Sequence, residues 1–154
     1  FQIVTGSKEA FFKIIGDFNK HIKDIIIWDK GHGQPAMHGQ VLNSCYENIL
    51  ILEDDKRAGR AIQNAKFNRG EMDNILRVGR GEKITDIHGA TFPELLAGEL
   101  IKAFSDEENL IYDPFMGSGT TGTVAKKLNR DFIGSEISTE YCSIANNRIN
   151  TLLF

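Results

Sequence analysis

Apolar and polar positions along the chain follow two patterns, one typical of helices and the other of buried strands. Helical spacing marks KEAFFKIIGDFNKHIK, TFPELLAGELIKAF, SGTTGTVAKKL and STEYCSIANNRINTLL. Short apolar runs mark the predicted strands FQIV, DIIIW, CYENILILE, NILRV, NLIYD and NRDFIGSEI. Because strands and helices alternate, the pattern predicts an α/β fold with a doubly wound, mostly parallel sheet.

The boundaries of these segments carry residues suited to starting helices and making loops. Side chains that can accept a hydrogen bond from a first-turn amide stand at the start of three of the four helical patterns. These N-cap candidates are Thr5 or Ser7, Thr91 and Ser138. DKGHGQPAMHG follows the apolar run that ends at Trp28, and its glycines predict a loop there.

Size and composition are those of one globular domain. The chain has 154 residues, of which 41% are hydrophobic and 25% charged. Its apolar runs are far too short to cross a bilayer and no signal-peptide pattern opens it, so we expect no membrane association. Cys45 and Cys142 have no metal-like spacing, so we expect neither a disulfide framework nor a metal site, and a reducing cytoplasm as the location.

Charge is unevenly distributed along the chain. The formal charge of −3 argues against a generally basic nucleic-acid-binding protein. Between Lys56 and Lys83, however, eight basic residues face only three acidic ones. Such a run is either a solvated face or a surface that contacts phosphates, and charge alone leaves both interpretations open.

The stretch IYDPFMGSGTTG combines a strand, a glycine turn and the start of a helix. Gly117, Gly119 and Gly122 have the G-x-G-x-x-G spacing of a dinucleotide site, where a helix amino terminus faces the pyrophosphate. Asp113 would add a further negative charge beside that pyrophosphate, which is unfavourable in a low-dielectric pocket. S-adenosylmethionine (SAM) carries a sulfonium and an ammonium, so the same carboxylate attracts it. Asp113 therefore favours SAM.

A second acid, Glu136, follows the next predicted strand in FIGSE. An acid at this place can accept hydrogen bonds from both ribose hydroxyls of a nucleoside, and dinucleotide-binding folds share it. Two alternatives to SAM stay open here. One is a nicotinamide oxidoreductase, disfavoured by Asp113 and by the lack of a substrate domain after the turn, and the other is a solvent-facing glycine turn without a ligand.

The segment from Asp113 to Ile149 closely resembles the SAM-binding part of DNA amino-methyltransferases, which modify adenine N6 or cytosine N4. The family's D-P-F-x-G-S-G-T-T is matched by Asp113, Pro114, Phe115, Gly117, Ser118, Gly119, Thr120 and Thr121. Its I-G-x-E and Y-x-x-x-A-x-x-R are matched by Ile133, Gly134, Glu136, Tyr141, Ala145 and Arg148. Upstream, Phe92, Pro93 and Leu96 match an F-P-x-x-L helix that, by resemblance, helps to line the methionine end of SAM.

The order of the segments resembles the beta class of this family. IIIWDKG is similar to a strand ending in W-x-K and CYENILILE to an x-x-E-x-I strand, and both precede the SAM segment. The resemblance implies one Rossmann-like methyltransferase domain that lacks N-terminal elements. Residues 1–55 would belong to its catalytic side, 56–83 to target recognition and 84–154 to SAM binding. The implied DNA contacts are Arg57, Arg60, Lys66, Arg69, Arg77 and Arg80.

One family motif is absent from the sequence. The D/N/S-P-P-Y/F/W tetrapeptide, which binds the target amino group and stacks on the flipped base, does not occur, because Pro35, Pro93 and Pro114 all stand apart. We expect it upstream of Phe1 and assign no catalytic residue within the chain.

The resemblance implies a SAM-dependent enzyme that methylates the exocyclic amino group of a base in double-stranded DNA. Adenine N6 is the expected target, with cytosine N4 or a catalytically incomplete SAM- and DNA-binding module as alternatives. No metal is required. The family includes homodimers and serves bacterial or phage restriction–modification, so the resemblance implies a cytoplasmic location.

Overall fold

The computed structural model describes residues 7–34, 39–54, 59–80 and 91–151. The chain divides into two compact units, Phe1–Gly79 and Arg80–Phe154. The division falls inside the segment 56–83 that the sequence assigns to target recognition, an assignment that stays a prediction. The predicted strand FQIV, the N-cap candidate Thr5 and the basic residue Arg57 lie outside the described residues.

The first unit contains one helix and three strands within the described ranges. They are α1 (Lys8–Asp17), β1 (Ile22–Gln34), β2 (Ser44–Leu52) and β3 (Ile75–Arg77). Ser7 is the N-cap residue of α1, although its hydroxyl makes no capping hydrogen bond. The sheet order is β2-β1-β3, antiparallel between β1 and β2 and parallel between β1 and β3.

Strand β1 is the centre of this sheet. Ile26, Trp28 and Lys30 are buried at alternate positions, and the intervening side chains are only half-buried. The indole Nε1 of Trp28 donates a hydrogen bond of 2.6 Å to the carbonyl of Val78, directly after β3. The prediction of a loop directly after Trp28 was wrong, because β1 continues to Gln34 by pairing with β2 beyond an irregularity in the register.

The second unit alternates helices and strands. Its elements are α2 (Glu94–Phe104), β4 (Leu110–Asp113), α3 (Thr120–Lys127), β5 (Asp131–Gly134) and α4 (Thr139–Asn150). Strands β4 and β5 are parallel, from Leu110 opposite Asp131 to Asp113 opposite Gly134. The core between the helices and this sheet is formed by Ala97, Ile101, Val124 and Ala125, with Ile111, Leu128 and Phe132 packed against them.

Two predicted helix starts have different outcomes. Ser138 caps α4, and its hydroxyl accepts a hydrogen bond of 3.3 Å from the amide of Tyr141. The prediction that Thr91 caps α2 was wrong, because the N-cap residue is Pro93 in an extended conformation. A residue before proline is sterically kept out of the helical region, so Phe92 cannot belong to the helix.

Both units have the α/β character that the sequence predicts. Among the described residues, the parallel pairs are β1–β3 and β4–β5, and β1–β2 is antiparallel. No helix within the described ranges is long and apolar enough to span a membrane.

Candidate cofactor site at the glycine turn

The turn between β4 and α3 depends on two glycines with left-handed backbone conformations. Gly117 has a φ of 51° and Gly119, the N-cap residue of α3, a φ of 81°. At Gly119 a side chain also lacks room, because an added Cβ would lie 2.8 Å from the Cβ of Ala145 in α4. The turn can therefore approach α4 closely.

Asp113, the last residue of β4, has both carboxylate oxygens engaged at the start of the turn. Its Oδ1 accepts a hydrogen bond of 3.0 Å from the Phe115 amide, and Oδ2 accepts one of 2.6 Å from the Thr121 hydroxyl. These bonds fix the orientation of a half-buried carboxylate. Each oxygen keeps lone-pair capacity for a further donor.

Glu136 lies two residues beyond the end of β5 and bridges the turn to α4. Its Oε2 accepts a hydrogen bond of 3.0 Å from the Gly117 amide, and Oε1 accepts one of 2.9 Å from the Ser138 amide. The ends of β4 and β5 are joined as well, since the Ser135 amide donates to the Asp113 carbonyl at 2.9 Å. The two acids singled out from the sequence are therefore held at the same turn.

The other predicted cofactor residues divide into enclosed and exposed side chains. Those of Ser118 and Thr120 are buried, with residue exposures of 7% and 4%, so they support the turn from within. Pro114 is exposed and Thr121 half-buried. Phe92 is 38% exposed and Pro93 precedes the first residue of α2. Their role at a cofactor stays a prediction.

Two large apolar side chains within two residues of the acids in the chain are exposed to solvent. Phe115 is 87% exposed, and Ile137, next to Glu136, is fully exposed. Single exposed apolar residues are common on protein surfaces. A pair flanking two fixed carboxylates is instead suited to the flat ring of a nucleoside. Sequence reasoning missed Ile137, because apolar character after a strand does not reveal whether a side chain is covered.

The described candidates for DNA contacts lie on the surface, and two of them pair with acids of β1. Arg60 donates to the Asp24 carboxylate, and Arg77 lies 3.9 Å from that of Asp29. Burial raises the pKa of Asp24, but the hydrogen bond and charge of Arg60, with the Ile25 amide, outweigh it and leave the pKa below its usual value. The other described candidates, Lys66, Arg69 and Arg80, are exposed.

The W-x-K segment of β1 forms a buried cluster with β2. The Lys30 ammonium lies 3.0 Å from a carboxylate oxygen of Glu47 and 5.6 Å from the centre of the Trp28 ring. Only 3% of the Lys30 side chain is exposed. These contacts stabilise the pairing of β1 with β2.

The described residues contain no group of three or more His, Cys, Asp or Glu side chains placed to hold a metal ion. The polar groups around the turn are instead two carboxylates, a hydroxyl and backbone amides, of which Phe115, Gly117 and Ser138 supply the amides. This set suits a ligand with hydroxyl donors and positive charge.

Comparison with known proteins places this geometry in a family. The sequence model of the N6/N4 methyltransferases, described as DNA methylase, matches residues 2–147. The type II methyltransferase M2.LlaDCHI of Lactococcus lactis subsp. cremoris is 34% identical over 158 aligned positions, covering 97% of this chain and 56% of that protein. The chain spans 40–56% of the length of the curated relatives it matches first.

Solved structures show the same fold. The M1.HpyAVI–SAM complex superimposes with a TM-score of 0.71 at 24% identity, covering 96% of this chain and 71% of that one. TTHA0409 of Thermus thermophilus, a putative DNA modification methylase solved with S-adenosyl-L-methionine, gives a TM-score of 0.61 at 26% identity, covering 83% and 52%. The Rossmann-like methyltransferase fold predicted from the sequence is confirmed, and the chain belongs to the DNA N6/N4 methylase family.

Proposed function

We propose that the turn between β4 and α3 binds SAM, and that the intact protein transfers the methyl group to an exocyclic amino nitrogen in double-stranded DNA. The observation that carries this proposal is the placement of Asp113 and Glu136 at one glycine turn. Two carboxylates there favour a positively charged nucleoside and disfavour a pyrophosphate. The SAM bound to TTHA0409 supports the same ligand.

Different residues around the turn would bind different parts of SAM. Glu136, fixed by the amides of Gly117 and Ser138, is placed to accept from the ribose hydroxyls. Asp113 supplies negative charge for the cationic end of SAM. Its hydrogen bonds to the Phe115 amide and the Thr121 hydroxyl keep the carboxylate oriented. The exposed side chains of Phe115 and Ile137 offer apolar surface to the adenine ring of SAM.

When bound, SAM supplies an already activated methyl group, so the protein's task is alignment. The target nitrogen must lie in line with the methyl group, with water excluded. A base in duplex DNA reaches such a site only when it is flipped out of the stack. The residues that bind the target amino group belong to the tetrapeptide, which does not occur in this sequence. We therefore assign the transfer step to no residue of the chain.

Adenine N6 is our proposed target, and it rests on the family resemblance. Cytosine N4 is the alternative, since the matched family covers both. Transfer of a labelled methyl group from SAM to unmethylated DNA by the full-length protein tests the activity. Nucleoside analysis of the product then distinguishes 6-methyladenine, our expectation, from N4-methylcytosine. SAM binding without transfer to any DNA would instead favour an incomplete binding module.

We further propose that exposed arginines of the segment 56–83 contact DNA phosphates. Arg60, Arg69 and Arg77 are all exposed, and each phosphate neutralised makes affinity more dependent on salt. Arg60 and Arg77 already have acidic partners in Asp24 and Asp29. DNA binding would therefore exchange these surface ion pairs for phosphate contacts, a small cost because exposed pairs contribute little.

A further inference from the structure

Arg148, in the last turn of α4, contacts the glycine turn from behind. Its Nη1 donates a hydrogen bond of 2.6 Å to the carbonyl of Ser118 and lies 3.3 Å from the hydroxyl of the same residue. Its Nη2 donates to a carboxylate oxygen of Glu94 at 3.1 Å. The Arg148 side chain is four-fifths buried, and its two contacts join the turn and the start of α2 to α4.

The contact with Ser118 orients one peptide group of the turn. The carbonyl of Ser118 and the amide of Gly119 belong to the same planar unit and point in opposite directions. Arg148 holds the carbonyl, and the Gly119 amide donates to the Met116 carbonyl at 2.8 Å. Ser118, which supplies the carbonyl, lies between two residues with left-handed conformations, Gly117 and Gly119. Fixing the plane of this peptide group therefore maintains the path of the turn that carries the Gly117 amide to Glu136.

The contact with Glu94 extends the connection to a second predicted cofactor segment. Glu94 is the first residue of α2 and follows Phe92 and Pro93, the residues expected at the methionine end of SAM. Its other carboxylate oxygen accepts a hydrogen bond of 2.6 Å from Lys127 at the end of α3. Because the carboxylate is held from two sides, it gives Arg148 a defined anchor.

We propose that Arg148 is a positioning residue for the cofactor: through Ser118 and Glu94 it holds the glycine turn and the start of α2 in the arrangement that binds SAM. The inference rests on the proposed function. Arg148 acts through Ser118 and Glu94 and not on the reacting atoms, so its effect is on cofactor affinity. The chemistry of transfer at saturating cofactor does not depend on it.

Calorimetric titration of the full-length protein with SAM tests this role. Because Arg148→Ala removes a charged, largely buried hydrogen-bond donor, we expect it to weaken SAM binding about 10- to 100-fold. KM for SAM should rise in parallel, and kcat at saturating SAM should change less than about threefold. Arg148→Lys keeps the charge but not the forked guanidinium, so it should recover part of the loss. Glu94→Gln, which keeps the Ser118 contact, should fall between wild type and Arg148→Ala.

Arg130 provides a matched control in the same unit. It is buried, and its guanidinium donates to the Ser105 carbonyl at 2.7 Å and to the Leu128 carbonyl, joining the end of α2 to the end of α3. Arg130→Ala should lower thermal stability yet leave the dissociation constant for SAM within about twofold of wild type, measured where all variants are folded.

The outcomes separate the inference from the proposed function. Tight SAM binding by wild type, weakened by Arg148→Ala and partly recovered by Arg148→Lys, supports it. If wild type binds SAM and the Arg148→Ala and Glu94→Gln variants have the same dissociation constant for SAM as Arg130→Ala, the positioning role is overturned. The proposed function then stays intact. Should Arg148→Ala fail to fold, the lysine and glutamine variants decide in the same way. A wild-type protein that binds no SAM overturns both.

Discussion

The two acids at the glycine turn of one unit and two acids of β1 in the other have different kinds of partner. In Arg80–Phe154, Asp113 and Glu136 accept hydrogen bonds from amides and a hydroxyl around one turn. In Phe1–Gly79, Asp24 and Asp29 instead face the exposed arginines Arg60 and Arg77. A carboxylate held by amides keeps both its position and its charge for a cationic ligand. An acid paired with arginine has already neutralised its charge.

This difference indicates how each unit would bind. The turn is preorganised, because backbone amides and a hydroxyl already orient both of its acids. Arg60 and Arg77 of the other unit are exposed and form surface ion pairs of low stability, so they must change partners to reach a phosphate. Substitutions at the turn should therefore have large, specific effects, and substitutions among the arginines small, additive ones.

The largest expected effect comes from Gly119→Ala. The change forces a left-handed conformation on alanine and brings its Cβ against Ala145, so we expect a loss of about 2–5 kcal/mol in unfolding free energy. Gly70 in the other unit has a φ of 85° but nothing within 4 Å of an added Cβ. Gly70→Ala should therefore cost only about 1 kcal/mol. Equal denaturation midpoints for the two variants would refute the close packing of the turn on α4.

Glu136→Gln should have the next largest effect. The amide group cannot accept from Gly117, Ser138 and two ribose hydroxyls as a carboxylate can, so we expect SAM affinity to fall about tenfold or more. Glu99→Gln, on the exposed surface of α2, is the matched control and should leave affinity unchanged. Titration calorimetry of both variants measures the difference, and an unaffected Glu136→Gln would exclude Glu136 from the nucleoside site.

Removing one arginine that binds a phosphate should reduce the salt dependence of DNA binding. The slope of log K against log salt should become shallower by about 0.9 for each phosphate that the protein no longer neutralises. Arg69→Ala and Arg77→Ala test this on DNA of a fixed sequence, with Lys102→Ala, exposed on α2, as the comparison. Slopes identical to wild type in both arginine variants would mean that the segment is a solvated face.

The smallest effect is expected for Arg60→Ala, which removes an exposed ion pair. Stability should fall by less than about 1 kcal/mol at neutral pH. The pKa of Asp24 in the folded state lies below its usual value. Its contribution to stability is therefore fully present above the pKa of the unfolded state and is lost as pH falls through the pKa of the folded state. The variant should raise the pKa of Asp24 in an NMR titration, and an unchanged pKa would show that Arg60 does not stabilise this carboxylate.

Local features made much of the second unit predictable from sequence. Strand β4, the glycine turn, α3 and the Ser138 cap all depend on residues close together in the chain. Asp113 and Glu136 could also be placed, because parallel strands bring their carboxyl ends to one edge of a sheet.

Features that depend on distant partners could not be predicted in this way. Strand β1 continues through the glycine-containing stretch to Gln34 because Ser44 pairs with it. The Arg148 side chain reaches Ser118 across 30 positions, and a sequence match to a family arginine does not reveal that contact. The exposure of Ile137 likewise depends on whether other parts of the chain pack against it, which the local sequence does not reveal.

Calorimetric titration of SAM into the full-length protein, compared between Asp113→Asn and Asp131→Asn, tests the central claim most directly. Both aspartates lie at the ends of the β4–β5 sheet, but Asp131 is at the opposite edge from Asp113, beside Leu110. We predict that Asp113→Asn weakens SAM binding about tenfold or more and Asp131→Asn leaves it unchanged. Equal affinities for all three proteins, or binding of NADH in preference to SAM, would contradict the account.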